Sequence, residues 1–349
     1  MEEALHSLAQ SLSSPLLLLL VGICLMLLFL GADWLVSGAV ELAYKTGLPK
    51  IMIGATIVSL GTTAPEAFVS VLAAWTGNPG LALGNGVGSI IADTGLVLGV
   101  ACLVAPVPLN RFLLQRTGLF QVGSACLLVC LACLQLLLTP QEPYLHRWVG
   151  FFFLGLLLLY IRLSYHWAKQ DQSQLPQELQ EKAQAPKRRA LPSLGLLLAG
   201  LFVVLAAARV LIPGATELAV RLGVPQDVIA ASVVALGTSL PELVTALSSV
   251  RKGHPELLVG NIVGADVLNC LFVIGASAVA SPLLVSKTFY QFHFPALLII
   301  LFSFRIFIAT NKSGYFSKAQ GAWLLGIYLL YILLQYSLNL NLEGAPGHV

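Results

Sequence analysis

Ten apolar runs, centred near Ile23, Leu60, Leu96, Leu128, Leu156, Leu201, Leu236, Phe272, Ile299 and Leu329, divide almost the whole chain into segments long enough to cross a bilayer. A hydrocarbon core about 30 Å thick takes about 20 residues of α-helix. Lipid offers no partner to backbone N–H and C=O groups, so a crossing segment must be a helix or a strand of a closed barrel, and no alternating strand pattern is present. The expectation is therefore an all-α integral membrane protein with ten transmembrane helices. Composition excludes a soluble globule: 57% of residues are hydrophobic, 10% are charged and the mean hydropathy is +0.87, which leaves too few polar side chains for a wetted surface.

The net charge of +3 is distributed unevenly. With the N-terminus outside, the inner loops hold Lys45, Lys50, Arg111, Arg116, Arg162, Lys169, Lys182, Lys187, Arg188, Arg189, Arg251, Lys252, Arg305, Lys312 and Lys318, against Arg147, Arg221 and Lys287 outside. The positive-inside rule then sets both termini outside and the linker 166–192 in the cytoplasm of a prokaryotic inner membrane. Met1 to Ser14 lacks Lys and Arg and the first apolar run is long enough to span, so it reads as the first crossing and not as a cleaved signal. The six cysteines fall in apolar segments without metal-ligand spacing and read as packing residues.

The chain is duplicated. The segment from Ile53 to Glu66 recurs as Ile229 to Glu242, and Gly84 through Asp93 recurs as Gly260 through Asn269. The offset stays at 176 residues from Gly47/Gly223 to Pro106/Pro282. The first Pro-Glu pair falls in the second crossing and the other in the seventh; five crossings, an odd number, separate them, so the copies insert with opposite orientation. The expected organisation is an N-terminal five-helix repeat over 1–165 with its core at 47–106, the linker 166–192, a C-terminal five-helix repeat over 193–340 with its core at 223–282, and a polar tail over 341–349. Inverted repeats of this kind build a shared site near the bilayer midplane with two related gates. The offset also maps Asp33 onto Arg209; these two charges either pair across the pseudo-symmetry axis or each snorkel to their own interface.

Each copy sets one carboxylate in an apolar run. Thr62 and Thr63 precede Glu66 by four and three residues, and Thr238 and Ser239 precede Glu242 likewise, so hydroxyls and carboxylate share one helix face. Pro65 and Pro241 are expected to kink their helices and free the carbonyls of Gly61 and Gly237. Hydroxyl, carbonyl and carboxylate oxygens are hard donors that suit Ca²⁺ and Na⁺. A second polar stripe at four-residue spacing holds Asn85, Ser89 and Asp93 in one copy and Asn261, Ala265 and Asn269 in the other, and nearby glycines allow close helix packing. For a lone Asn in such a stripe an interhelical hydrogen bond is the favoured reading.

Gly61-Thr62-Thr63-Ala64-Pro65-Glu66 and Gly237-Thr238-Ser239-Leu240-Pro241-Glu242, each followed by a Gly-Asn-x-x-Gly segment, resemble the two α-repeats of the calcium/cation antiporter superfamily, within it the prokaryotic sodium/calcium exchangers. The resemblance covers nearly the whole chain. It implies exchange of intracellular Ca²⁺ for several Na⁺ by alternating access, with the long first and sixth helices sliding past an eight-helix core, and without a cofactor. It implies that Glu66 and Glu242 bind Ca²⁺ and share flanking Na⁺ sites, with Thr62, Thr63, Thr238, Ser239, Ser89 and Asp93 beside them. Where the family often has Ser and Asp, the second copy has Ala265 and Asn269; Asp93 stands where Asn is common. Three site carboxylates are thus retained and one hydroxyl is lost. Asp266, where the family often has Asn, is either a cavity ligand or a group near the inner mouth.

A proton-coupled divalent-cation antiporter uses the same carboxylates with H⁺ as counter-ion and is the alternative. A channel fits an inverted duplication less well. An intramembrane hydrolase lacks a nucleophile or metal dyad, since His146, His166 and His254 sit at loops or span ends and His293 reads as an interface residue, so no enzyme activity is expected. The partners expected are the two ions and the lipid bilayer, with no nucleic acid, for a chain that works as a monomer.

Overall fold

The computed structural model describes residues 7, 9–46, 49–173, 191–222 and 239–337, and nearly all of them are helical. The helices are α1 (Ser14–Thr46), α2 (Lys50–Trp75), α3 (Pro79–Val104), α4 (Arg111–Leu138), α5 (Arg147–Ser173), α6 (Leu191–Arg221), α7 (Leu240–Arg251), α8 (Pro255–Ala280), α9 (Phe289–Thr310) and α10 (Lys318–Ser337). Eight of them, α1 to α6 with α8 and α9, are long and apolar enough to cross a membrane by length and composition. Helices α7 and α10 stand where the seventh and tenth crossings are expected; Leu236, the expected centre of the seventh, lies outside the described residues. Helix α5 continues to Ser173, into the stretch that the sequence assigns to the linker. Turn-spaced pairs extend it there: Gln170 hydrogen-bonds to His166 at 3.0 Å and the Lys169 ammonium lies over the Tyr165 ring.

Two short antiparallel ribbons join the halves. Strand β1 (Val107–Pro108) pairs with β4 (Tyr315–Phe316), and β2 (Tyr144–Leu145) pairs with β3 (Leu283–Leu284). Paired strands must lie at the same end of the molecule. Between β2 and β3 the chain traverses α5, α6 and α8, and an even number of passages is needed to return, so one more passage belongs between α6 and α8, where α7 stands. With α7 as that passage, an odd number of passages separates α2 from α7, the parity that inverts the two copies.

The core centres on α8, which is buried along nearly its whole length. Gly260 and Gly264 make this possible, because a Cβ on either would collide with the backbone of Ile51 or Ala55 in α2. Helices α1 and α6 form a separate antiparallel pair whose backbones touch at Gly31, Gly38 and Gly200. Both ends of the pair are tied by a cation and acid that are repeat-equivalent, Lys45 with Glu41 and Arg221 with Glu217, each reaching a serine of the other helix. Lys45 bonds Glu41 (3.3 Å) and Ser193 at the start of α6 (2.5 Å), while Arg221 bonds Glu217 (2.8 Å) and Ser14 at the start of α1 (3.2 Å).

Asp33 and Arg209 do not pair. Asp33 accepts a hydrogen bond from Ser248 at 2.5 Å and forms an ion pair with Arg251 at the end of α7. The reason is register: Gly31 meets Val203 in the antiparallel pair, so Arg209 stands about 12 Å along the axis from Asp33 at 1.5 Å per residue. Cys24, Cys102 and Cys270 are buried as expected of packing residues, whereas Cys130 and Cys133 lie exposed on α4.

Candidate cation-binding site

Helices α2 and α7 carry Glu66 and Glu242 to the centre, where they are 5% and 2% exposed. The two prolines act differently from one another. Pro65 lies inside α2, but Pro241 occupies the first turn of α7, where no intrahelical N–H is missed, so the second expected kink is a helix start. Thr62 and Thr63 are fully buried; the Thr62 hydroxyl donates to the Ser59 carbonyl at 3.4 Å and reaches Glu242 from α2. Ser239 is buried at the N-cap of α7 and makes no capping bond, and Thr238 lies outside the described residues.

From α3 and α8 come Ser89, Asp93, Asn261 and Asn269, all buried. Asp93 opens a π-helical turn, Asp93–Val97, and Asn269 opens its counterpart, Asn269–Val273, so the duplication extends to a distortion of the backbone. A third such turn, Gly54–Val58, precedes the Thr62 segment in α2. Single π-turns interrupt α-helices mostly at functional sites. Asn85 has another task. Its amide donates to the backbone oxygen of Glu66 (3.3 Å) and to the Ser70 hydroxyl (2.9 Å), bracing α3 against α2 at the acid.

What remains is a set of buried oxygens without hydrogen-bond partners among the described residues: Oε2 of Glu66 and of Glu242, both carboxylate oxygens of Asp93, Oγ1 of Thr63, Oγ of Ser89 and Oδ1 of Asn269. Buried polar atoms are nearly always hydrogen-bonded, and here both repeats leave acceptors unpaired in one region. Glu66 interacts electrostatically with Glu242, and Asp93 with Glu242, Asp266 and Glu66. Among the described residues no three Asp, Glu, His or Cys side chains are grouped tightly enough to hold a metal by themselves. A cation here needs the neutral hydroxyl and amide oxygens as well, a loose donor set suited to an ion that must leave again.

Three groups stand where the sequence pattern did not fix them. Asp266 is 1% exposed and so does not lie at a mouth; its Oδ2 accepts from Thr94 and from Gln121, each at 2.5 Å. The repeat counterparts of these three are Ile90, Cys270 and Leu297, all buried and apolar, so this polar group exists on one side of the site alone. Arg209 acts on Glu66 electrostatically, where the sequence offered Asp33 or the interface. His293 is buried, not interfacial, with Nδ1 2.9 Å from the Tyr331 hydroxyl inside a box of Phe289, Phe292 and Tyr331 rings.

A family model described as sodium/calcium exchanger protein matches residues 16–166 and 192–337. The chain belongs to the sodium/calcium exchanger family. Relatives of this exchanger include the inner membrane protein YrbG of Escherichia coli, 32% identical over 92% of the chain and 97% of the relative. The putative antiporter CaxA of Alkalimonas amylolytica is 31% identical over 90% and 96%, and the sodium/calcium exchanger MaX1 of Methanosarcina acetivorans is 28% identical over 92% and 98%. Among solved structures, the sodium-calcium exchanger NCX_Mj superposes with a TM-score of 0.75 at 25% identity, covering 92% of this chain and 99% of that one.

Proposed function

We propose that the protein is a secondary active antiporter that exchanges Ca²⁺ for Na⁺ by alternating access. The observation that carries this reading is the set of unpaired oxygens on Glu66, Glu242, Asp93, Thr63, Ser89 and Asn269, contributed by both inverted repeats. Glu66 and Glu242 bind Ca²⁺ between them, and the flanking hydroxyls Thr62, Thr63, Thr238 and Ser239 take part in Na⁺ binding. Asp93 supplies the third charge, with Ser89, Asn269 and Asn261 as neutral donors; Asn85 positions Glu66. Family membership does not favour the proton-coupled alternative.

Exchange follows from electrostatics. Three buried carboxylates are costly to enclose without compensating cations, so the unloaded carrier resists switching and each passage carries either Ca²⁺ or Na⁺. A difference in net charge between the two loads makes transport respond to membrane potential, at about 2.3 kcal/mol per charge per 100 mV. The protein acts as a monomer in a prokaryotic inner membrane. Both termini lie outside and the linker lies in the cytoplasm, as the Lys and Arg distribution requires.

The test is ⁴⁵Ca²⁺ uptake into proteoliposomes preloaded with Na⁺ or with K⁺, with and without an imposed pH gradient. Uptake that needs the outward Na⁺ gradient is expected. Uptake driven by the pH gradient alone would replace the proposal with proton coupling at the same carboxylates.

A further inference from the structure

Arg209 lies within α6, half-buried, eight residues past Leu201. The Leu201 side chain fills the space that a Cβ on Gly61 of α2 would need. Helices α2 and α6 are both even-numbered passages and run in the same sense. At 1.5 Å per residue, Glu66 stands about 7.5 Å beyond that contact and Arg209 about 12 Å beyond it. The difference is shorter than an extended arginine side chain. On the α7 side, Ala207, Ala208 and Leu211 share an apolar cluster with Val244, two residues after Glu242. The register of α6 against α2 and α7 therefore lets the guanidinium reach the level of both glutamates. It interacts electrostatically with Glu66, and no direct ion pair joins it to a carboxylate among the described residues. Its repeat counterpart Asp33 is engaged elsewhere, with Ser248 and Arg251.

We propose that Arg209 is a tethered cation that sets the balance between divalent and monovalent ions at the site. This rests on the exchanger reading above. A fixed positive charge repels a bound ion in proportion to the ion's own charge. If it weakens Na⁺ binding by a factor f, it weakens Ca²⁺ binding at the same place by f squared. For an effective dielectric constant of about 20 and a separation of about 8 Å, f is about 30 and its square about 1,000. Such a group keeps Ca²⁺ from being held too tightly for Na⁺ to displace.

The experiment is equilibrium binding of ⁴⁵Ca²⁺ and ²²Na⁺ to the full-length protein, comparing Arg209→Gln and Arg209→Met with Arg209→Lys. Both neutral variants should bind Na⁺ more tightly and Ca²⁺ more tightly by the square of that gain, while Arg209→Lys stays within about twofold of the wild type. Leu205→Lys, which adds a cation one turn away on the same face of α6, should weaken Ca²⁺ binding more than Na⁺ binding. Folded neutral variants with unchanged affinities, or with equal gains for both ions, overturn the proposal. If neither neutral variant folds, Leu205→Lys decides, and unchanged Ca²⁺ affinity there overturns it. A wild-type protein that binds no Ca²⁺ refutes the exchanger reading itself and this proposal with it.

Discussion

Replacing Asn85 with alanine separates a strut from a ligand. The side chain makes two hydrogen bonds from α3 to α2, at 3.3 Å to the Glu66 carbonyl and at 2.9 Å to Ser70. Interhelical hydrogen bonds within a membrane bundle average about 0.6 kcal/mol and reach about 1.7. Losing both should therefore cost about 1 to 2 kcal/mol of stability, measured as the equilibrium unfolding free energy in mixed micelles. Glu66 loses its brace but keeps its carboxylate. Na⁺-driven ⁴⁵Ca²⁺ uptake should persist with a KM several-fold higher and a maximal rate less affected. Asn85→Asp, which keeps acceptor oxygens but cannot donate to the Glu66 carbonyl, should behave like the alanine variant. Abolished transport in Asn85→Ala with unchanged stability would refute the reasoning and make Asn85 an ion ligand.

Glu66→Gln and Glu242→Gln should each abolish exchange in a protein that still folds, because a divalent ion loses a charged oxygen in a buried setting; full transport in either variant removes the site. Asp93→Asn should weaken transport less, and adding Asn269→Asp should restore part of it if the third charge can sit on either repeat, with absence of rescue showing that the two positions are not equivalent. A pH dependence is expected at the junction of α2 and α8, where Lys50 bonds Glu256 at 2.9 Å and approaches Nδ1 of His254 at 2.8 Å. Burial, then the Lys50 charge, holds the His254 pKa below the usual imidazole range, so its contribution is present at neutral pH and is lost as the pH falls below about 6.5. Wild-type thermal stability should accordingly drop more between pH 7.5 and 5.5 than that of His254→Gln; identical slopes would exclude the imidazole as the cause.

The duplication was legible because each copy breaks a long apolar run with one acid and one proline, a pattern that composition cannot generate by accident. Parity of crossings then supplied the inversion, and the β1–β4 and β2–β3 pairings require the same parity. Other parts were not legible for definite reasons. A π-turn such as Asp93–Val97 depends on what packs around it and has no five-residue signature. The sequence offset pointed Asp33 at Arg209, but equivalent residues of an antiparallel helix pair come together only at its crossing point, and both lie away from it. Asp266, Thr94 and Gln121 sit on three helices, α8, α3 and α4, and nothing local links them. Asn85 looked the same as Asn261 by spacing, yet its amide is engaged with Ser70, whose repeat counterpart is Ala246.

The tied ends of α1 and α6 bear on something outside the protein. Lys45 with Ser193 and Arg221 with Ser14 bind the two helices into one rod, and neither ribbon touches it, since both fasten parts of the remaining eight helices to each other. In the cycle that the family resemblance implies, the rod is the part that slides. Leu18, Leu19, Met26, Phe29 and Phe202 are exposed on it, so in a bilayer these side chains would meet acyl chains. Each stroke must therefore shear lipid, and solvent friction for this machine is the viscosity of the bilayer. Turnover should follow acyl-chain order across a lipid melting transition far more steeply than ion affinity does.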